Sequence, residues 1–254
     1  VASNDTIKKT ITVALLLCVV CSVIVSTAAV MLKPAQVANK SLDFKRNILL
    51  AAGLLEEGVS VDEQFKQVTT KLVDFETGKF TTAVDADSYD QRKAAKDPAL
   101  SVKLSGDDDL AKISRQEKYA KVYLVEKHGQ LEKVILPIKG YGLWSTLYGF
   151  LALEADANTV VGLGFYEHAE TPGLGGEVDN PKWKGLFLGK KVYTADGGVA
   201  LRVVKGTAAP DSAHDVDGLS GATLTSKGVD NLIKFWLGEK GYASFLTNLR
   251  NGEA

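Results

Sequence analysis

The sequence is poor in sulfur and has no surplus of charge. Its two cysteines, Cys18 and Cys21, both fall in one apolar run near the N-terminus. The rest of the chain has none, which excludes a disulfide framework and a cysteine-ligated metal site there. The three histidines, His128, His168 and His214, are scattered, without the spacing of a metal site. Lys and Arg total 30 against 31 Asp and Glu, for a formal net charge of -1. The basic residues are spread along the chain, so no electrostatic footprint for nucleic acid is present. Asp85-Ala86-Asp87 and Asp107-Asp108-Asp109 lack the Gly and Glu of a calcium loop and read as solvated surface. No Gly-Lys-Ser/Thr follows a glycine-rich segment, and no spaced Gly-x-Gly-x-x-Gly occurs, which excludes a Walker loop and a dinucleotide fingerprint.

Charge is also missing from Thr10 to Leu32. This run of Leu, Val, Ile and Ala is long enough to cross a hydrocarbon core of about 30 Å as one helix. A signal peptide has a shorter apolar region of about 7–15 residues and a small-residue cleavage site. Val30-Met31-Leu32-Lys33-Pro34 offers no such site, so an uncleaved anchor is expected. Lys8 and Lys9 precede the run, and Lys33, Lys40, Lys45 and Arg46 follow it. Basic residues alone therefore favour an outside N-terminus or no preference. Cys18 and Cys21 read as small apolar residues on one face of the membrane helix. Metal ligation shared with cysteines of a partner helix is the less favoured reading.

After the run, Arg46 to Glu57 reads as an amphipathic helix stopped by Gly58. Val61 to Asp74 reads as a second helix, with Phe65, Val68 and Leu72 on one side, and Asp85 to Lys96 as a third, polar one. From Lys118 the texture changes to strands. Tyr119–Val125 and Leu131–Ile138 form an expected hairpin, Leu147–Leu153 and Thr159–Tyr166 a second pair, and Lys191–Thr194 with Ala200–Val204 a third. Without strand–helix alternation, a doubly wound parallel sheet is not expected. The fold class is α+β: an antiparallel or mixed sheet with packed helices, after one N-terminal transmembrane helix. The expected division is a short N-terminus at 1–9, the span at 10–32, a helical accessory region at 33–117 and a ligand-binding domain at 118–254.

Three stretches carry candidate chemistry. Gly140-Tyr141-Gly142-Leu143-Trp144-Ser145 allows close backbone approach and offers an indole to a flat ring. His168-Ala169-Glu170-Thr171-Pro172-Gly173-Leu174-Gly175-Gly176 is a glycine-rich loop with few side chains to block a ring. Asp217-Gly218-Leu219-Ser220-Gly221-Ala222-Thr223-Leu224-Thr225-Ser226 precedes a helix marked by Val229, Leu232, Ile233 and Trp236. Its hydroxyl residues suit an N-cap, and a helix start suits a phosphate. A hydrolase reading of Ser220 with His214 fails, because Ala222 stands where a nucleophile elbow needs glycine.

The last stretch, with His-x-Glu-Thr-Pro-Gly-Leu-Gly, resembles the family of covalent-FMN subunits of Na+-translocating NADH:quinone oxidoreductases. The resemblance implies that the domain at 118–254 binds FMN, esterified through its phosphate to Thr225 by a flavin transferase. It also implies a flavinylation motif of Asp217, Ser220, Gly221, Ala222, Thr223 and Thr225. Cofactor contacts are expected from Trp144, Glu170, Thr171, Gly173, Leu174, Gly175, Ser220, Gly221, Ala222, Thr223 and Leu224, with Glu170 a polar neighbour of the ring or ribityl chain. No catalytic acid or base and no metal is expected.

The implied role is electron transfer in a multi-subunit translocase of a bacterial inner membrane that couples NADH oxidation and ubiquinone reduction to Na+ transport, with no turnover by the chain alone. The N-terminus would be cytoplasmic and the body periplasmic, against the basic-residue count. The corresponding flavin-bearing member of the Rnf electron-transport complex is the near alternative. A membrane-anchored binding protein without cofactor is the alternative from another class.

Overall fold

The computed structural model describes residues 6–254. The start of the expected cytoplasmic segment, residues 1–5, lies outside them. The chain divides into two compact units, Val1–Asp43 and Phe44–Ala254.

The first unit consists of the leading part of helix α1 (Ile7–Ala51). Its apolar side chains point outward on every side: Leu15, Val23 and Ile24 are 62%, 60% and 62% exposed. A helical stretch whose apolar side chains are exposed all round suits an apolar solvent. At 1.5 Å per residue the uncharged run spans about 35 Å, enough for a bilayer core.

The second unit is built on one antiparallel sheet. Its elements in order are α2 (Val61–Phe65), β1 (Val68–Asp74), β2 (Lys79–Thr81), α3 (Gln91–Ala94), β3 (Ser101–Lys103), β4 (Arg115–Glu117), β5 (Tyr119–Lys127), β6 (Gln130–Tyr141), β7 (Thr146–Glu154), β8 (Val160–Glu167), α4 (Pro181–Gly185), β9 (Arg202–Val203), β10 (Asp215–Val216), α5 (Thr223–Leu237) and α6 (Ala243–Asn251). Among the described residues the main sheet has six strands, in the order β2-β1-β5-β6-β7-β8.

Alternation along the strands makes two apolar faces. Leu124, Val134, Leu136, Ile138, Leu147 and Leu151 belong to the larger core, which α5 closes with Val229, Leu232 and Trp236. Tyr123, Ile135, Phe150 and Ala152 belong to the other, covered by Ile48, Leu49 and Ala52 from the end of α1 and the turn after it. Gly140 lets α5 approach: a Cβ there would stand 2.5 Å from Leu232 Cβ.

The two expected hairpins of the central sheet form, with Tyr123 opposite Ile135 and Leu151 opposite Leu163. Elsewhere the structure corrects the sequence reading. Val61–Asp74 is not one helix: a single turn, α2, leads into β1, which pairs antiparallel with β5. Val68 and Leu72 are four apart, a spacing that suits either a helix face or a strand face. The β-branched Val68-Thr69-Thr70 and the neighbouring strand decide for β. The polar helix expected over Asp85–Lys96 shrinks to α3, capped by the Asp90 carboxylate. Four strands, β1 to β4, therefore occupy the region 33–117 that reads as helical. The third expected strand pair does not form. Tyr193 and Val199 share an isolated bridge, while Arg202–Val203 pairs in parallel with Asp215–Val216. Helix α1 runs unbroken to Ala51 and ends in a turn at Gly53, where φ is +63°.

Candidate functional site

The three motif stretches meet at the Glu170 carboxylate. Glu170 follows β8 and is 5% exposed. Its Oε1 accepts N–H bonds from Leu143, Trp144 and Ser145 at 3.1, 2.9 and 3.2 Å, all from the turn between β6 and β7. Its Oε2 accepts the Thr225 hydroxyl at 2.7 Å. Burial opposes the charge on Glu170. The Trp144 N–H, the Thr225 hydroxyl and the Ser145 and Leu143 N–H groups outweigh it and hold the carboxyl below its ordinary range. Charge-assisted bonds of this kind are about twice as strong as neutral ones.

Glycines create the space. A Cβ on Gly142 would stand 2.6 Å from Glu170 Oε1. One on Gly175 would stand 2.6 Å from Thr225 Oγ1 and 2.7 Å from Glu170 Oε2. The glycine loop thus roofs the hydroxyl, and Thr225 is 0% exposed. Gly173 turns the loop at φ +75°, and the Thr171 carbonyl accepts from the N–H groups of Leu174 and Gly176. His168 fixes the loop from below the turn: its Nδ1 accepts the Glu170 N–H at 3.2 Å while its Nε2 meets Asp179 at 2.7 Å. Ser145 Oγ accepts the Ala169 N–H at 2.7 Å and ties the loop to the β6–β7 turn.

The helix start differs from the expected hydroxyl cap. Helix α5 begins at Thr223, and its N-cap is Ala222, which makes no side-chain cap bond. Among the described residues the first turn also has no acidic side chain. Its N–H groups and the positive end of the dipole are therefore available to an anion. Ser226 instead braces the preceding loop, accepting the Leu219 N–H and donating to the Ala222 carbonyl. Asp217 orders the same loop, accepting the Ala208 N–H with Oδ1 and the Trp183 Nε1–H with its carbonyl. Gly221 has φ +73°, and Ser220 and Thr223 are exposed. His214 donates through Nδ1 to the Lys191 carbonyl, so its ring serves the loop before β10.

Around the buried hydroxyl, apolar side chains lie open. Trp144, Leu224, Leu174 and Leu143 are 65%, 62%, 45% and 37% exposed. Solvent-facing side chains of this size next to a closed polar centre suit a flat apolar ring. A cleft of about 260 Å³ adjoins the helix start, lined by Lys205, Leu219, Thr223, Leu224 and Lys227 among others. A cavity of about 380 Å³ lies elsewhere in the body, walled by Tyr89, Arg92, Tyr148 and Tyr166, and takes in none of the three stretches. The size of a cavity is therefore a poorer guide here than the convergence of motifs. Cys18 and Cys21 are exposed on α1, and no cluster of three metal-ligating side chains occurs among the described residues.

Residues 142–238 match the model of the FMN-binding domain family. Over 260 residues the chain is 56% identical to the C component of the Na(+)-translocating NADH-quinone reductase of Pseudomonas aeruginosa, covering 100% of both. The chain belongs to that C-component family. The Vibrio vulnificus member is 52% identical over 99% of this chain and 98% of its own length. The fold is also that of the family: the crystal structure of Shewanella oneidensis NqrC matches with a TM-score of 0.78 at 37% identity, over 84% of this chain and 99% of that one. The crystal structure of the Parabacteroides distasonis counterpart matches with a TM-score of 0.68 at 30% identity, over 85% and 97%. The matched domain spans the β6–β7 turn from Gly142, the glycine loop and the start of α5, the segments that meet at Glu170.

Proposed function

We propose that this chain is the electron-transfer member of a membrane-bound NADH-quinone reductase and carries one FMN esterified to Thr225. The convergence of the three motif stretches on the Thr225 hydroxyl carries this reading. Bound FMN would accept electrons and pass them on, chemistry that belongs to the flavin. The protein's part is attachment, orientation and control of polarity. Thr225 would hold the phosphoester. The uncapped first turn of α5, with Ser220, Gly221, Ala222 and Thr223, would receive the phosphate. Trp144, Leu174 and Leu224, with the Thr171, Gly173 and Gly175 backbone, would cover the ring. Glu170, held among N–H groups beside Thr225, would order the attachment point rather than reach out to the ring.

A covalent link is physically useful where lost cofactor is not readily replaced, which fits a periplasmic body on an inner-membrane anchor. A flavin transferase would load the site, other subunits of the complex would deliver and take electrons, and Na+ transport would belong to the whole assembly. The full-length identity to the NADH-quinone reductase relatives favours this role over the flavin-bearing member of the Rnf complex.

A denaturing gel viewed under ultraviolet light tests the link. Chain co-expressed with a flavin transferase should fluoresce, and Thr225→Ala should not. A fluorescent Thr225→Ala band would overturn the attachment site. A dark wild-type band, with the transferase active on a control, would leave an anchored binding module. Protease added to intact spheroplasts tests orientation: cleavage of the body supports a periplasmic placement, and full protection refutes it.

A further inference from the structure

We propose that Glu170 is the proton acceptor for the modification of Thr225, so that this chain supplies in cis the base for its own flavinylation. The proposal rests on the flavinylation reading above.

Glu170 Oε2 stands 2.7 Å from Thr225 Oγ1 and accepts its hydroxyl proton. Other polar partners are disposed to keep the carboxylate in place. Three N–H groups of one turn hold Oε1. The Glu170 N–H is tied to His168 and the Ala169 N–H to Ser145, which leaves the side chain little freedom to swing away. The first-turn position of Thr225 in α5 fixes the other partner.

The chemistry balances as follows. The donor must be a flavin phosphate already activated as a pyrophosphate, such as flavin adenine dinucleotide. Thr225 Oγ1 forms a bond to the flavin-bearing phosphorus, the phosphorus–oxygen bond of the pyrophosphate breaks, and adenosine monophosphate leaves. The Thr225 Oγ1–H bond breaks, and its proton moves to Glu170 Oε2. No oxidation or reduction occurs. Phosphoryl transfer passes through a loose transition state in which the attacking hydroxyl bonds late, and protein kinases use an aspartate to accept the substrate hydroxyl proton. A strong base is therefore unnecessary. The Glu170 carboxyl, held below its ordinary range, is ionised at neutral pH, so Oε2 has a lone pair free for the proton.

The roof over the hydroxyl adds a steric condition. Thr225 is 0% exposed, and the Gly175 backbone closes over Oγ1. The donor gains access only when the segment around Gly173–Gly175 lifts, and Glu170, at the base of that loop, stays with the β6–β7 turn.

The test measures single-turnover flavinylation of full-length, flavin-free chain in detergent, with purified transferase and flavin adenine dinucleotide, read by in-gel fluorescence and by release of adenosine monophosphate. Glu170→Gln keeps the side-chain shape and an oxygen for the three N–H groups but puts an amide where the proton acceptor stood. Its maximal rate should fall about 100-fold or more, the usual range for losing a general base, with half-saturation by the protein substrate unchanged. Glu170→Asp should recover part of the rate. Gly142→Ala, whose new methyl would push the Glu170 carboxylate aside, should also slow the maximal rate without substituting either reacting residue.

A Glu170→Gln chain modified at the wild-type maximal rate overturns the proposal, as does a defect confined to half-saturation, which would mark a recognition role. Should Glu170→Gln fail to fold by near-ultraviolet circular dichroism, Glu170→Asp and Gly142→Ala decide: wild-type maximal rates in both overturn it. If Thr225→Ala is modified, or the wild type is not, the flavinylation reading itself fails.

Discussion

Helices α1 and α5 are both rich in aliphatic residues, yet they solve opposite problems. In α1 the aliphatic side chains between Thr10 and Leu32 point outward all round. In α5 they gather on one side, where Val229, Leu232, Ile233 and Trp236 are each at most 1% exposed and close the larger core. The comparison shows that composition alone does not say what solvent a helix expects. Arrangement does: a stripe seeks a protein core, and a full girdle seeks lipid.

The largest effect should come from separating the two. Removing residues 1–43, which keeps the Phe44–Ala51 end of α1, should move the chain from the membrane pellet to the supernatant in carbonate fractionation. The truncated body should keep its cooperative unfolding. A body that still pellets without aggregating would break the contrast.

Within α5, Trp236→Ala should cost about 3–5 kcal/mol. It empties a fully buried site and removes the donor to the Lys139 carbonyl at 2.6 Å. Urea unfolding of the body measures it, and Leu16→Ala in α1 is the matched control, expected to change that midpoint within error.

Gly228 gives a finer test. Alanine usually stabilises a helix interior by about 1 kcal/mol over glycine. Here a Cβ would stand 2.4 Å from the Tyr141 carbonyl. Gly228→Ala should therefore destabilise, by about 1–3 kcal/mol, with flavinylation of Thr225 slowed as well. A more stable variant would show that the helix does not press on the β6–β7 turn.

The smallest expected effect is a pH dependence carried by the body, set against a Thr10–Leu32 run that contains no charged residue. Burial would raise the Asp156 carboxyl, but bonds from the Thr159 hydroxyl, the Thr159 and Asn158 N–H groups and Lys191 bring it down to about 2. A depressed folded-state value stabilises above the ordinary range near 3.8 and is lost as pH falls toward about 2. The side chain is 46% exposed. Solvent screening therefore reduces its contribution to about 1 kcal/mol or less. Asp156→Asn should flatten the stability profile between about pH 4 and pH 2; an unchanged profile would remove Asp156 from the account.

Much of this was legible in the chain itself. The uncharged run from Thr10 to Leu32 is a membrane-length helix on local grounds, since helix and apolar surface are both properties of neighbouring residues. The two central hairpins were legible because alternation and turn residues are local too. The glycine-rich segments and the Asp217–Ser226 stretch could be recognised as motifs without knowing what they touch.

Tertiary structure decided the rest. Val68–Asp74 became a strand because β5 offered it a ladder, and Arg202–Val203 found Asp215–Val216 instead of its sequence neighbour. Pairing between Glu170 and Thr225 spans 55 positions and leaves no periodic signal in either segment. Its seat is made of backbone N–H groups of Leu143, Trp144 and Ser145, which every residue but proline possesses, so side-chain identity could not announce it. Sequence by itself determined which segments would fold locally and which carried unusual residues. Only the packed chain determined that an acidic side chain, a backbone turn and a helix start would close on one hydroxyl, because that geometry exists only after long-range contacts have met their entropic cost.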